Sequence, residues 1–406
     1  MKLTVVGATC ENVDNNYISN LEVFSGKMAA VCYLNGEYFN SNADNPDKAK
    51  SRFDRVVGTG HDSVSDHAYF TVLFENIPKM TAMILNSLGF YNTSEKSGRY
   101  TVMSSEEQAN TENERLYHKW LAKFKELITK YDQNLADKDP KLVEKLSMEN
   151  ARYVLSVFAP NTTMSYTTSL RMWSYLIQWC KEYLEIGNTD TNFNKMLHKC
   201  VNDLYINLLS LKCFSDIIKY RNTGKPFTFL SKQVDYNIWE TDERYEESYL
   251  IKYRVSLADL AQEQRHRTLD YFMCFDDSGY YKNVYYVPDI LKDAGTNADV
   301  EEWLNDLQSV HDTFPIATLV DVVETGFISN FMRKCDERLC GRTMHETFVN
   351  IRNNLLKFER SWHKSPFMVN ELKKHFRDGK VIMKCGNTAC KEPCYWGPTR
   401  SQNKSV

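Results

Sequence analysis

The stretch "NTSEKSGRY", residues 92–100, gathers a carboxylate, a hydroxyl, a flexible glycine and a guanidinium in one short loop. These groups belong to Glu95, Ser97, Gly98 and Arg99. Such a loop can wrap a phosphate, because arginine pairs with two oxygens of the anion while glycine lets backbone amides approach it. A solvent-exposed Ser-Gly-Arg turn has the same composition. The loop therefore indicates an anion site only if other residues support it.

A second basic stretch, "QRHR", Gln264 to Arg267, lies far down the chain. Two arginines flank a histidine at the end of an amphipathic helix, which suits a flat anionic ligand such as a flavin or a nucleotide. The alternative is a basic helix end that complements the negative end of its own dipole.

The composition is that of an ordinary globular protein: 406 residues, 42% hydrophobic, 25% charged and a net charge of -3. The near-neutral charge argues against binding of a nucleic acid polymer. No apolar run reaches the roughly 18 residues of a membrane helix, and "MKLTVVGATCEN" is better explained as a first strand than as a signal peptide. Eleven cysteines without a regular framework favour a cytoplasmic location.

The residue pattern predicts an α+β fold in which strand, helix, motif loop and further helices occur twice. Alternating apolar residues predict strands at 3–6, 68–75 and 247–255. Helical periodicity predicts helices at 77–90, 104–131, 140–160, 168–187, 193–222, 256–267 and 325–362. Their expected boundaries include Pro78 near one start, Ser256 as a cap, and Pro160 and Gly187 as stops. A junction at 222–230 would divide the chain into halves 1–222 and 230–406.

Together, the two basic stretches resemble the motif of the flavin-dependent thymidylate synthases (the ThyX family). That motif reads Arg-His-Arg, seven residues, then a Ser within Glu-x-Ser-Gly-Arg-Tyr. The first half has Ser97, but Ser87, Leu88 and Gly89 stand where Arg-His-Arg is expected. The second half has Arg265–Arg267, but Phe275 stands where the serine is expected. Each half thus retains the part of the motif that the other lacks.

Further segments are similar to the same family. "GTGHDSVSDHAYFTVLFE" resembles the family's Gly-His segment. "ENARYVLSVFAP" resembles the helix end that supplies an arginine, which is Arg152 here. "TTSLRMWSYLIQWC" resembles the Thr-Gly-Asn-x-Arg-x-Trp segment, with Arg171 as its arginine. The arginine that ends this last segment in the family is Cys180 here, and Arg338 in the second half. Other family positions differ: the flavin-binding asparagine is Ser169 or Phe327, a histidine is Arg342 and an early serine is Cys32.

Family members are about half as long and work as homotetramers with active sites between subunits. The resemblance therefore implies two ThyX-like copies, each a small antiparallel sheet with long helices, fused as an internal pseudodimer with one composite active site. Two such chains would pair as a homodimer, a pseudotetramer. The first half keeps Glu95, Ser97, Gly98, Arg99 and Arg152, and the second keeps Gln262, Arg265, His266, Arg267 and Arg338.

The resemblance also implies roles for these residues. The predicted nucleotide ligands are Glu95, Ser97, Gly98, Arg99, Arg152, Gln262, Arg265 and Arg338. The predicted FAD ligands are His61, Ser63, Arg171, Arg265, His266 and Arg267. Arg338 and His266 are the predicted catalytic pair, Arg338 because a cation at the pyrimidine edge favours the N3-deprotonated ring.

The implied reaction is reductive methylation of dUMP to dTMP with methylenetetrahydrofolate and NADPH. The departures from the family leave two alternatives open: an enzyme that hydroxymethylates dUMP or methylates dCMP, and a noncatalytic nucleotide-binding homologue. No metal site is expected. Cys385, Cys390 and Cys394 lack the close paired spacing of zinc ligands, and His61, Asp62, Asp66 and His67 are better explained by flavin contact and packing.

Overall fold

The computed structural model describes residues 1–9, 17–35, 45–103, 111–187, 189–211, 244–245, 247–275, 284–361, 366–384 and 390. The chain forms two compact units. The first unit comprises Met1–Lys96 and Phe158–Phe227, and the second unit comprises Ser97–Val157 and Thr228–Val406. The predicted junction at 222–230 lies outside the described residues, so the division into halves 1–222 and 230–406 stays a prediction.

Up to residue 157 the elements are β1 (Lys2–Ala8), α1 (Tyr17–Ala29), α2 (Pro46–Gly58), β2 (Tyr69–Pro78), α3 (Lys79–Asn86), β3 (Tyr91–Glu95), α4 (Glu112–Tyr131), α5 (Gln133–Lys138) and α6 (Pro140–Ala151). They continue with β4 (Pro160–Ser169), α7 (Leu170–Ile186), α8 (Asn192–Ser210), β5 (Arg244–Tyr245), β6 (Ser248–Ser256), α9 (Leu257–Glu263), β7 (Asp270–Cys274), α10 (Asp289–Ala294) and α11 (Asn297–Ser309). The last are β8 (Leu319–Phe327), α12 (Ile328–Arg338), α13 (His345–Arg360), α14 (Pro366–Lys373), β9 (Phe376–Arg377) and β10 (Lys380–Val381).

Each unit contains one four-stranded antiparallel sheet, and the two sheets have the same strand order. The order is β1-β2-β4-β3 in the first unit and β5-β6-β8-β7 in the second. In both sheets, one helix begins directly after the strand that is second along the chain (β2 or β6). Another begins directly after the strand that is fourth along the chain (β4 or β8). This repeated topology confirms the predicted α+β fold with two copies of one architecture.

Strand register shows which residues of the two copies correspond. Thr167 and Thr325 both lie three residues before the helix that follows the fourth strand, and Asn92 and Asp270 lie opposite them. Counting back five residues from Asn92 and Asp270 reaches Ser87 and Arg265. Ser87–Gly89 therefore occupy the position of Arg265–Arg267, as the sequence spacing predicted.

Aromatic side chains fill the core of each unit. In the first unit the Trp173 ring stacks on Phe70 with centroids 5.1 Å apart. In the second unit Trp120 meets Trp303 edge to face at 4.8 Å, which joins α4 to α11. Large apolar side chains of this kind supply most of the free energy of burial.

Local signals place several helix ends as predicted. Ser256 caps α9 by accepting a hydrogen bond from the Asp259 amide at 3.1 Å, Pro78 precedes α3, and Gly187 follows α7. Within the described residues, no helix is long and apolar enough to cross a membrane.

Two predicted helices differ most in extent, and those predicted at 77–90 and 256–267 each end four residues early, at Asn86 and Glu263, so that Gln264–Arg267 lie beyond the helix. The helix predicted at 140–160 ends at Ala151, because the backbone beyond it pairs with residues 314–317, for example Val157 N with Phe314 O at 2.9 Å. Pro160 begins strand β4 instead. The helix predicted at 325–362 starts after β8 and is interrupted at 339–344, where the Thr343 amide bonds to the Cys340 carbonyl in a turn that contains Gly341. The start of the helix predicted at 104–131 lies outside the described residues at 104–110.

Candidate functional site

The loop that contains Ser97, Gly98 and Arg99 belongs to the second unit and forms a turn after β3. The Ser97 carbonyl accepts hydrogen bonds from the amides of Tyr100 and Thr101, both at 3.1 Å, and its hydroxyl accepts one from the Arg99 amide at 3.3 Å. The Arg99 guanidinium contacts the Glu149 carboxylate and the Arg342 carbonyl. Burial, the largest influence, acts to lower the pKa of Arg99, but the charge and hydrogen bond of Glu149 together with Tyr100 and Cys340 raise it above its usual value.

Arg152 lies at the end of α6, next to this loop. A Cβ added to Gly98 would lie 3.3 Å from the Cδ of Arg152, so the two residues are in close contact. The guanidinium donates to the Met344 thioether, a weak acceptor, and its Nε is buried and makes no hydrogen bond with the described residues. Burial lowers the pKa of Arg152, although Glu149 opposes the effect. Arg152 is therefore a partly buried cation whose donors are poorly satisfied.

Arg338, at the end of α12, donates from Nε to Nε2 of His266 at 2.7 Å. Burial, Arg338 and neighbouring cations lower the pKa of His266 to about 2, so the ring is neutral near pH 7. Because Nε2 accepts, the ring proton resides on Nδ1. The 3.7 Å approach of Nδ1 to Glu337 is therefore not an ion pair at that pH. Burial also lowers the pKa of Arg338.

The remaining predicted ligands of the second half lie within four residues of His266 along the chain. Gln262 is in the last turn of α9, and Arg265 and Arg267 follow on an exposed turn. The charge of Arg265 contributes to the lowered pKa of both His266 and Arg338, which places it close to them.

The segment 339–344 connects the two groups of cations. It begins directly after Arg338, its Arg342 carbonyl accepts from Arg99, and its Met344 thioether accepts from Arg152. The second unit thus brings residues that the first half of the sequence supplies, Ser97–Arg99 and Arg152, onto a segment that the second half supplies.

Four predicted site residues lie in the first unit. The side chain of Glu95 is buried, and its carboxylate pairs with Lys79 at 2.6 Å. Arg171 forms an ion pair with Asp66, whose carboxylate also accepts from Ser169 at 2.7 Å, and the Nε of Arg171 is buried without a hydrogen-bond partner among the described residues. His61 immediately precedes the short 3₁₀ helix Asp62–His67 that carries Asp66, Ser63 lies within that helix, and both residues are exposed.

Sequence reasoning did not identify Glu149, Met344 or Lys334. Glu149 is buried and binds Arg99, and its other oxygen accepts from the His345 amide at 3.3 Å. Its position one helical turn before Arg152 was the available signal. Lys334 is fully buried and stands one turn before Arg338 on the same helix. Its place on the apolar face of α12 was the signal, since lysine is seldom buried without partners.

The arrangement is chemically suited to an anionic ligand. Four guanidinium groups, those of Arg99, Arg152, Arg265 and Arg338, belong to one unit, and among the described residues Arg152 has no strong acceptor. Guanidinium groups bind phosphate with strong, paired hydrogen bonds. Within the described residues, no three His, Cys, Asp or Glu side chains are arranged to hold a metal ion, and Cys385 and Cys394 lie outside those residues.

Residues 16–181 match the family model described as thymidylate synthase complementing protein. The flavin-dependent thymidylate synthase of Pyrococcus abyssi is 27% identical over 119 residues, which cover 27% of this chain and 46% of the relative. The chain therefore spans about half the length of the curated relative that it matches.

Solved structures give weaker similarities. A Helicobacter pylori ThyX, crystallised with FAD and dUMP, is 16% identical with a TM-score of 0.31, over 54% of this chain and 100% of that chain. A UMP/dUMP methylase from Streptomyces cacaoi, bound with 5-Br dUMP, is 15% identical with a TM-score of 0.28, over 53% of this chain and 94% of that chain. At such TM-scores the likeness supports no inference about the site.

Proposed function

We propose that this chain is a divergent member of the flavin-dependent thymidylate synthase family that binds dUMP and methylates it reductively to dTMP, a proposal supported by the match of residues 16–181 and by the curated relative. The nucleotide would lie at the cation groups of the second unit. Methylenetetrahydrofolate would supply the one-carbon unit and NADPH the reducing equivalents. Two chains would pair as a homodimer.

The observation that carries the proposal is the state of Arg152. Its Nε is buried without an acceptor among the described residues, and its guanidinium reaches only a thioether beside Gly98. Desolvating a cation without strong hydrogen bonds costs free energy. A 5'-phosphate would offset this cost by accepting from Arg152, with further donors available in the Ser97–Arg99 turn.

Arg338 and His266 would act at the pyrimidine. The neutral His266 ring accepts from the Nε of Arg338, which fixes the orientation of the guanidinium plane. A fixed cation at the pyrimidine edge stabilises negative charge on the N3-deprotonated ring and so makes its C5 more nucleophilic. Arg265 would add positive charge at the same site.

The chain also has suitable donors for FAD. Arg171 has a buried Nε without a partner among the described residues. His61 and Ser63 present an imidazole and a hydroxyl a few residues before Asp66, the ion-pair partner of Arg171. Arg265, His266 and Arg267 are candidate flavin donors of the second unit in their own right. Bound flavin would provide the hydride that completes the methyl group.

Two measurements test the function. Purified protein, or protein incubated with added FAD, should show the absorption of a bound flavin. Incubation with dUMP, methylenetetrahydrofolate and NADPH should then yield dTMP by mass spectrometry. A hydroxymethylated product, or turnover of dCMP alone, would instead establish one of the related enzymes. Protein that binds dUMP but no FAD would indicate a noncatalytic nucleotide-binding homologue.

A further inference from the structure

Lys334 is a fully buried cation that lies between two fully buried carboxylates. Its ammonium group contacts Glu263 directly and lies 2.8 Å from Glu324. Tyr249 and Tyr253 donate their hydroxyls to Glu324, Tyr253 at 2.6 Å, and Asn350 donates to Glu263 at 3.1 Å. A buried charge is tolerated only when partners of this kind satisfy it.

This cluster joins the two elements that carry the predicted catalytic pair. Lys334 stands one helical turn before Arg338 on α12. Glu263 ends α9, and its backbone carbonyl accepts from the His266 amide at 3.0 Å. The Lys334–Glu263 ion pair therefore links the helix of Arg338 to the turn of His266, a few residues from their own hydrogen bond.

The first copy has no charges at the corresponding positions. Strand and helix correspondence places Leu176 at the position of Lys334, Leu85 at that of Glu263 and Tyr166 at that of Glu324. There the Tyr166 hydroxyl donates to the Leu85 carbonyl at 2.9 Å. The same fold is thus built with an uncharged core in the copy that lacks Arg-His-Arg. Folding of this architecture does not require the buried charges.

We propose that Lys334 is a positioning residue, which with Glu263 and Glu324 holds α12 against the end of α9 so that the Nε of Arg338 reaches Nε2 of His266. An ion pair fixes direction and register, whereas an apolar contact of similar volume can slide. The consequence for nucleotide binding rests on the proposed function. The consequence for the Arg338–His266 pair does not.

The electrostatics agree with this geometry. The groups that act on His266 are Arg338, Lys334 and Arg333 of α12, the adjacent Arg265, and Glu337 at 3.7 Å. Burial is the first cause of the lowered pKa of His266, followed by the charges of Arg338 and Lys334. Glu263 is the main counter-charge of Arg338. Removing Lys334 should therefore raise the pKa of His266 and weaken its role as an acceptor.

The test uses the full chain and the double variant Lys334→Met/Glu324→Gln, which removes one charge of each sign. Histidine NMR of the free protein, with the His266 signal assigned from His266→Gln, should show no titration between pH 8 and 5 in wild type. Extended down to pH 3, the titration should show His266 of the double variant taking up its proton at least about one pH unit above wild type, whose ring should still be largely neutral there. If that variant does not fold, Lys334→Leu/Glu263→Leu/Glu324→Tyr installs the residues that pack in the first copy.

Calorimetry with dUMP tests the coupling to binding. The affinity of either multiple variant should fall on the order of 10- to 100-fold, the loss expected when a functional group is misplaced. The matched control is Lys119→Met/Asp306→Asn, which removes an ion pair between α4 and α11 without touching the site. This control should change neither the His266 titration nor the dUMP affinity.

Each outcome decides the inference about Lys334. An unshifted His266 signal together with wild-type dUMP affinity in a folded variant would overturn it. Equal losses in the control variant would also overturn it, since the effect would then be general destabilisation. Wild-type protein that binds no dUMP would overturn the proposed function, while the NMR titration would still decide whether Lys334 positions the pair.

Discussion

Arg338 donates a hydrogen bond from Nε to Nε2 of His266 at 2.7 Å, and the imidazole that accepts it is neutral. The bond uses one of the five N–H groups of the guanidinium. It also requires His266 to remain unprotonated, because an imidazolium has no acceptor nitrogen. The orientation of Arg338 is therefore linked to the protonation state of His266.

This linkage predicts a pH-dependent stability. The pKa of His266 is about 2 in the folded chain, against about 6.5 for an unfolded histidine. Above pH 6.5 His266 is unprotonated in both the folded and the unfolded state, so it contributes nothing to the pH dependence of stability. Below it only the unfolded state gains the proton, and stability should fall by about 1.4 kcal/mol per pH unit. In urea titrations, the free energy of unfolding should fall between pH 7.5 and pH 5.5 by about 1–1.4 kcal/mol less in His266→Gln than in wild type. In the exposed control His118→Gln it should fall by as much as in wild type.

Arg152→Met should reduce dUMP affinity without reducing stability. The substitution removes a poorly satisfied buried cation and keeps an apolar side chain of similar length, so the melting temperature should stay constant or rise. A charge-assisted hydrogen bond to phosphate contributes about 1.5–3 kcal/mol, so calorimetry should show a loss of about 10- to 150-fold in affinity. Arg115→Met, on an exposed pair with Glu112, should change neither property. A large loss of stability in Arg152→Met would show that the arginine is structural.

The split site predicts that either half can abolish binding. Arg99→Ala and Arg338→Ala should each remove most dUMP binding, because each deletes a guanidinium that the other half does not supply. Restoring Arg-His-Arg at Ser87–Gly89 should rescue neither variant, since that turn belongs to the first unit. Normal dUMP affinity in Arg99→Ala would show that the nucleotide is bound elsewhere.

Trp303→Ala should destabilise the second unit by about 3–5 kcal/mol, the usual cost of deleting a large buried aromatic. The ring is fully buried, packs edge to face against Trp120, and donates to the Tyr286 carbonyl at 3.0 Å. Its neighbour Leu304 is exposed, so Leu304→Ala should change the free energy of unfolding by no more than about 0.5 kcal/mol in urea titrations. Equal effects of the two substitutions would contradict the proposed core.

Features that depend on local sequence were predicted well. Alternation of apolar residues indicated β1, β2 and β6, and the caps and stops at Ser256, Pro78 and Gly187 lie where the residue types placed them. The remaining strands of the two sheets were missed. Strand β4 reads "PNTTMSYTTS", a polar run whose extended form depends on pairing with β2 and β3 on either side.

By itself, the sequence determined that one architecture occurs twice and that the two copies retain complementary parts of one motif. The spacing of residues along the chain is sufficient for this inference, because the same number of residues separates the motif turn from the strand before it in both copies. Only the tertiary structure decided that Ser97–Val157 joins the second unit, that Glu149 neutralises Arg99, and that a buried Lys334 stands behind Arg338. These relationships join residues far apart in sequence through hydrogen bonds and charge. No local pattern of residue types encodes which distant partner will satisfy a buried charge.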